Sequence, residues 1–233
     1  MPLRATGRGV SQARALRALL LDLDGTLLDT APDMSFALNA LRAEQGRPPL
    51  PLAALRPFVS HGAAGLVASG FAELAETERE SLRQRFLQLY RARLCVGTTL
   101  FQGAAALLAR LETARLPWGI VTNKPGWLTD PLLAALGLDT RAACVVSGDT
   151  LAVRKPHPAP LLHAAAAMGL APGQCLYAGD AERDIIAGRA AGMRTVAVRY
   201  GYLAAGEDPA AWGPDAIVDH PEALWDELGR LDG

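Results

Sequence analysis

Six short runs of apolar residues fix the class of fold open to this chain. They occupy residues 18–23, 118–122, 143–147, 175–178, 194–198 and 216–218. Each is apolar at successive rather than alternate positions. Both faces of the strand it forms must therefore be covered, as in a parallel sheet packed between helices. Stretches of helical length and composition separate the later runs, at 103–113, 128–136, 158–168 and 184–191, with a last one at 221–231. Gly137, Gly169 and Gly192 follow three of them, where a helix commonly stops. Strand alternating with helix predicts an α/β fold built on a doubly wound parallel sheet.

One interval breaks the alternation. Residues 33–96 carry no strand pattern and read as four helices, 33–45, 52–59, 63–71 and 76–94. A plain strand-to-helix connection takes about 2–6 residues. The interval is therefore expected to be an inserted helical cap, leaving 18–32 and 97–233 as the α/β core. It springs from the C-terminal end of the first strand, the edge where open α/β sheets bind ligands, and so reads as a lid. Residues 1–17 hold Arg4, Arg8, Arg14 and Arg17 and no acid. They are expected to form a mobile basic extension rather than an organellar leader, and they lack the apolar stretch of a secretory signal.

Composition narrows the partners. Lys and Arg number 23 and Asp and Glu 24, for a net charge of −1, which gives no reason to expect nucleic acid or an anionic membrane. No apolar run reaches the roughly 18–20 residues of a membrane span. Three cysteines, Cys95, Cys144 and Cys175, are too few and too scattered for a disulfide framework or a cysteine zinc site. A cytoplasmic protein is the expectation; oligomeric state is left open.

Chemistry collects at the ends of the apolar runs. Asp22 lies within the first run and Asp24 two residues on, on the same side of an extended segment; Gly25 then allows a sharp turn. An acid among apolar residues is costly unless paired or metal-bound, although helix-capping acids at a turn are the plainer alternative. The fourth run ends at Asp180, with Asp184 four residues on. Carboxylates from two strand tips on one sheet edge repel each other. A hard divalent cation with all-oxygen ligands, Mg²⁺, relieves that repulsion and can bridge to a phosphate. Asp184 has a second reading as an acid at a helix N-terminus. The second run ends in Thr122-Asn123-Lys124-Pro125, a phosphate cradle of hydroxyl, amide and backbone N–H groups or a simple turn. Only two of the basic residues are lysine, Lys124 and Lys155, and they follow the second and third runs. That placement marks Lys155 as a compact site cation and leaves Lys124 open between a site residue and a surface charge. In the cap, His61 and Gly62 at a predicted helix start are candidates for substrate contact or a turn. His157 and His163 read as structural.

In order, DLDGTLLDT, the threonine of VTNKP, the lysine of RKPHP and GDAERD resemble the four motifs of the haloacid dehalogenase-like superfamily of phosphatases. The likeness runs from about Leu19 to the end, and the helical insertion resembles that family's small cap. VTNKP, KPHPAPLL, AAMGLAP and VRYGY are similar to the phosphoglycolate phosphatase group. SHGA, PWGIVTNKP and WGPDAIVDHPEAL resemble bacterial N-acetylmuramic acid 6-phosphate phosphatases. The resemblance implies an Mg²⁺-dependent phosphomonoesterase acting on a small phosphorylated metabolite. It implies Asp22 as nucleophile, Asp24 as general acid and base, and Thr122, the Asn123 N–H and Lys155 on the phosphoryl group. Asp22, Asp180, Asp184 and the Asp24 backbone carbonyl would hold the metal. Ala181 departs from the small polar residue usual after Asp180, which removes one hydrogen bond near the metal but no ligand. A phosphomutase and a phospho-accepting receiver domain are the rival readings. A receiver lacks an acid two residues after its nucleophile and a lid of this size.

Overall fold

A computed structural model describes residues 16–230. In chain order its elements are β1 (Ala18–Leu21), β2 (Leu28–Asp29), α1 (Ala31–Glu44), α2 (Leu52–Leu55), a 3-10 segment (Arg56–His61), α3 (Gly62–Gly70) and α4 (Glu76–Ala92). Then come β3 (Thr99–Leu100), α5 (Ala104–Thr113), β4 (Trp118–Val121), α6 (Gly126–Ala135), β5 (Cys144–Val146) and α7 (Ala159–Ala167). The chain ends with β6 (Cys175–Gly179), α8 (Glu182–Ala190), β7 (Arg194–Val198), β8 (Ala216–Val218) and α9 (Ala223–Arg230).

The main sheet has six strands in the order β5-β4-β1-β6-β7-β8, every neighbouring pair parallel. Unbroken apolarity has the expected cause. Leu19 and Leu21 of β1 pack with Ile120, Leu176 and the helices α5, α6 and α9 on one face. Ala18 and Leu20 pack with Val121, Tyr177 and the helices α7 and α8 on the other. From β1 the chain fills β4 and β5 on one side, then crosses to β6 on the other. The tips of β1, β4 and β6 therefore flank the point where the strand order reverses, the crevice that such sheets use for ligands.

The helical insertion is present, with local differences from the sequence reading. The helix expected over 52–59 stops at Leu55 and continues as the 3-10 segment. Pro57 has no N–H and its ring crowds the preceding turn, which favours the change to the tighter segment. The chain starts α8 at Glu182, two residues earlier than expected. A two-stranded antiparallel ribbon, β2 with β3, was not foreseen, because two-residue strands are too short to show a period. The ribbon lies where the chain leaves for the insertion and where it returns. Asp33, expected to open a helix, instead sits inside α1. Its buried carboxylate accepts the N–H groups of Val96, Gly97 and Thr98 and the Thr98 hydroxyl, at 2.8–3.0 Å. Outgoing and returning chain are thus clamped to one another. The buried apolar cluster on the α5 side continues through Leu38, Leu55, Leu66 and Phe86 of the insertion, so the insertion rests on the core through packing as well as through its linkers. Of the basic extension, Arg4, Arg8 and Arg14 lie outside the described residues.

Candidate active site

Asp22, Asp180 and Asp184 converge at the strand tips, each buried, with one carboxylate oxygen of each lying within 4.8 Å of the others. Asp22 follows β1 and Asp180 follows the adjacent β6; Asp184 is in the first turn of α8, its side chain against Gly179 of Asp180's strand. Close approach is possible because Gly25, with φ +90°, faces the Asp180 carboxylate, where any β-carbon would collide with it. Gly201 leaves the same carboxylate room from the other side.

The cluster is buried, and its acids act on one another. Burial, then the charges of Asp22 and Asp184, push the Asp180 carboxyl up to about 7. Burial likewise raises Asp22, against the pull of Lys155. Both shifts express the cost of gathering carboxylates away from water. A donor set of three buried carboxylates with oxygens within 4.8 Å of one another suits a hard divalent cation.

Lys155 is sealed inside, its side chain fully buried. Its ammonium lies 2.9 Å from Asp22 Oδ1, 2.8 Å from Asp184 Oδ1, 2.8 Å from the Val121 carbonyl and 2.7 Å from the Tyr177 hydroxyl. Asp22 Oδ1 also accepts the Leu23 N–H at 2.7 Å. Asp180 Oδ2 accepts Ser60 Oγ at 2.6 Å and the Tyr202 N–H at 3.1 Å, and Oδ1 accepts Thr26 Oγ1 at 3.2 Å. These three donors hold Asp180 although Ala181 offers no side-chain partner. Asp184 Oδ2 accepts the Ala181 N–H at the start of α8, as a helix N-terminal acid does, while Oδ1 meets Lys155 and Tyr177.

Asp24 turns away from that cluster. Oδ1 accepts the Thr30 hydroxyl at 2.6 Å, and the Lys124 ammonium lies 2.9 and 3.1 Å from its two oxygens. Lys124 is buried, against the surface reading, and its ammonium sits 4.7 Å from the centre of the Tyr90 ring of α4. Burial opposes its charge, but Asp24 and Tyr90 outweigh burial and raise its pKa. At the tip of β4, Thr122 Oγ1 accepts the Lys124 N–H at 3.1 Å, and the Asn123 side chain clamps the Lys155 backbone through two bonds of 2.9 and 3.0 Å. These bonds build the turn, with Asn123 positioning the loop that carries Lys155.

A cavity of about 560 Å³ opens on this group and is roofed by the insertion. His61 and Gly62 line it as expected, beside Ser60, Arg83, Tyr90 and Arg183, which sequence reasoning missed. His157 and His163 are not among its lining residues; His157 Nδ1 accepts the Ala159 N–H at 3.1 Å, a turn contact. Tyr177 and Ser60 gave no signal in the sequence, since each reaches the site only through tertiary packing. Arg183 gave none either, because the sequence reading starts that helix at 184; in the structure it lies in the first turn of α8, where the helix dipole disfavours a cation.

A profile of the haloacid dehalogenase-like hydrolases matches residues 16–192. A phosphoglycolate phosphatase of Xanthomonas campestris pv. campestris (strain 8004) is 50% identical over 210 residues, spanning 90% of this chain and 95% of its own. An N-acetylmuramic acid 6-phosphate phosphatase of Pseudomonas aeruginosa is 45% identical over 216 residues, 92% and 96% of the two chains. The crystal structure of a predicted phosphoglycolate phosphatase from Haemophilus somnus 129pt superimposes with a TM-score of 0.81 at 29% identity, covering 91% of this chain and 98% of that one. Matched along most of its length in sequence and in fold, the chain belongs to the haloacid dehalogenase-like hydrolases.

Proposed function

We propose that the protein is an Mg²⁺-dependent phosphatase that hydrolyses a small phosphomonoester through an aspartyl-phosphate on Asp22. The observation that carries this reading is the position of Asp22. It is buried at the sheet's switch point, with one oxygen held by Lys155 and the Leu23 N–H, beneath a lidded cavity. Oδ1 is occupied, which leaves Oδ2 to attack phosphorus. Asp24 lies two residues on, at the cavity wall. Released from Lys124 and Thr30 and carrying a proton, it gives that proton to the leaving alkoxide oxygen; the resulting carboxylate then takes a proton from the water that cleaves the intermediate. Thr122, the Asn123 N–H and Lys155 steady the phosphoryl oxygens.

Asp22, Asp180, Asp184 and the Asp24 carbonyl would hold Mg²⁺. At about 4 Å two like unit charges cost on the order of 4 kcal/mol at an effective dielectric of ~20; the bound ion offsets that repulsion between carboxylate and phosphate. The insertion excludes water while the ester forms, with His61 and Gly62 at its substrate-facing edge.

Phosphoglycolate is the substrate we assign first, on the 50% identity to the Xanthomonas enzyme. N-acetylmuramic acid 6-phosphate is the second reading. A cavity of about 560 Å³ lies in the range that encloses drug-sized ligands and leaves room for a sugar body that phosphoglycolate would not fill. We place the enzyme in the cytoplasm; among the described residues no helix is long and apolar enough to cross a membrane. The test is phosphate release from each ester with Mg²⁺ and with EDTA, ranked by kcat/KM. Steady metal-dependent release supports hydrolysis. Isomerised product that requires a bisphosphate activator would mean a mutase, and a single labelling event would mean a receiver.

A further inference from the structure

Arg183 has no task in the mechanism above, yet it stands beside the nucleophile. It lies in the first turn of α8, lines the cavity, and places its Nη2 3.9 Å from Asp22 Oδ2. Two forces work against a cation there: burial and the positive end of the helix dipole. A guanidinium stays charged in a protein even so. Its Nε is buried with no hydrogen-bond partner among the described residues.

Lys155 shows why a second cation is needed. Its three N–H groups already face four oxygens, from Val121, Tyr177, Asp22 and Asp184. Any contact it makes with an incoming phosphate draws on N–H groups already engaged, so Lys155 alone cannot satisfy the phosphoryl oxygens. Arg183 approaches from the other oxygen of Asp22, the one free to attack. A charge-assisted contact closes to about 2.7–2.9 Å, so the 3.9 Å gap is too long for a bond to Oδ2 itself. An oxygen of a phosphoryl group bonded to Oδ2 falls within reach of the guanidinium.

We infer that Arg183 is a catalytic residue whose guanidinium hydrogen-bonds the phosphoryl oxygens during transfer to Asp22 Oδ2. The inference rests on the phosphatase reading. In the step it serves, the bond from Oδ2 to phosphorus forms as the phosphorus–alkoxide bond breaks. The alkoxide takes the Asp24 proton, and Arg183 gives up none. A planar fork matches two phosphoryl oxygens, which a lysine at the same place could not do.

The test compares Arg183→Gln, Arg183→Lys and Arg183→Ala with the wild-type chain, using para-nitrophenyl phosphate at saturating Mg²⁺. Inorganic phosphate serves as inhibitor. Glutamine should lower kcat/KM on the order of 10²–10³-fold and weaken phosphate inhibition at least tenfold. Lysine should fall between glutamine and wild type, and added guanidinium should restore part of the alanine variant's rate. If the glutamine variant fails to fold, the lysine variant decides, by its phosphate inhibition constant. Rates and phosphate inhibition within twofold of wild type would overturn the inference. So would a defect that disappears when Mg²⁺ is raised, because Arg183 would then only balance the acids. If the wild type releases no phosphate, the phosphatase reading fails instead. The catalytic role falls with it, and calorimetric binding of inorganic phosphate then tests only the contact: weaker binding by the glutamine variant keeps Arg183 as a phosphate-binding residue, and equal binding removes that too.

Discussion

Replacing Lys155 by methionine should cost the metal-free protein about 4 kcal/mol at neutral pH and much less in mild acid. The side chain keeps its approximate volume, so the loss is electrostatic. In the native site the ammonium lies 2.9 Å from Asp22 and 2.8 Å from Asp184. Each contact is worth about 6 kcal/mol of Coulomb energy at an effective dielectric of ~20, most of it offset by the cost of desolvating the ions. Removing one partner of a buried pair typically costs about 3–5 kcal/mol. Proton uptake sets a ceiling. One of the abandoned acids can neutralise itself, at about 1.4 kcal/mol for each pH unit above an ordinary carboxyl pKa near 4. That ceiling is about 4 kcal/mol at pH 7 and about 1.4 kcal/mol at pH 5. Urea unfolding in EDTA at the two pH values measures both numbers. A loss under about 1 kcal/mol at pH 7, or a larger loss at pH 5 than at pH 7, would refute the assignment of Lys155 as the internal counter-ion of this cluster.

Burial first, then Asp22 and Asp184, raise Asp180 to about 7. The folded state therefore binds a proton that the unfolded chain releases near pH ~3.9. The stability tied to that proton is fully present below pH ~4 and is lost as the pH rises through about 7. In EDTA the Tm should fall across this window more steeply for wild type than for Asp180→Asn; equal slopes would contradict the shift, and saturating Mg²⁺ should remove the difference. Asp33→Ala strips four partners from the hinge and should destabilise by roughly 3 kcal/mol, with faster proteolytic nicking near residues 96–98; unchanged unfolding would mean the clamp is idle. Ser60→Ala removes the lid's 2.6 Å bond to Asp180 and should alter KM more than Tm, whereas a purely structural role would move Tm alone.

The core was legible because its signals are local. Leu19, Leu20 and Leu21 read as a doubly covered strand from their succession alone, and Asp22 and Asp180 stood out as acids at the ends of such strands. Lys155 was found by scarcity, as one of two lysines in an arginine-rich chain. What stayed hidden depends on contacts distant in sequence. The hydroxyl of Ser60 meets Asp180 across 120 residues, and Tyr202 reaches Thr30 and Asp29 across more than 170. The Leu28–Asp29 strand exists only because Thr99 and Leu100 return beside it. Lys124 was undecided for the same reason: its burial is created by Tyr90 of the insertion and by Asp24, neither near it in the chain.

Trapping the covalent intermediate tests the central claim most directly. Enzyme quenched during steady turnover of a phosphomonoester, reduced with borohydride and digested, should yield a peptide with homoserine at position 22, the reduction product of an aspartyl-phosphate. Modification of Asp24, Asp180 or Asp184 in its place, or an unmodified Asp22 while phosphate is being released, would contradict the account.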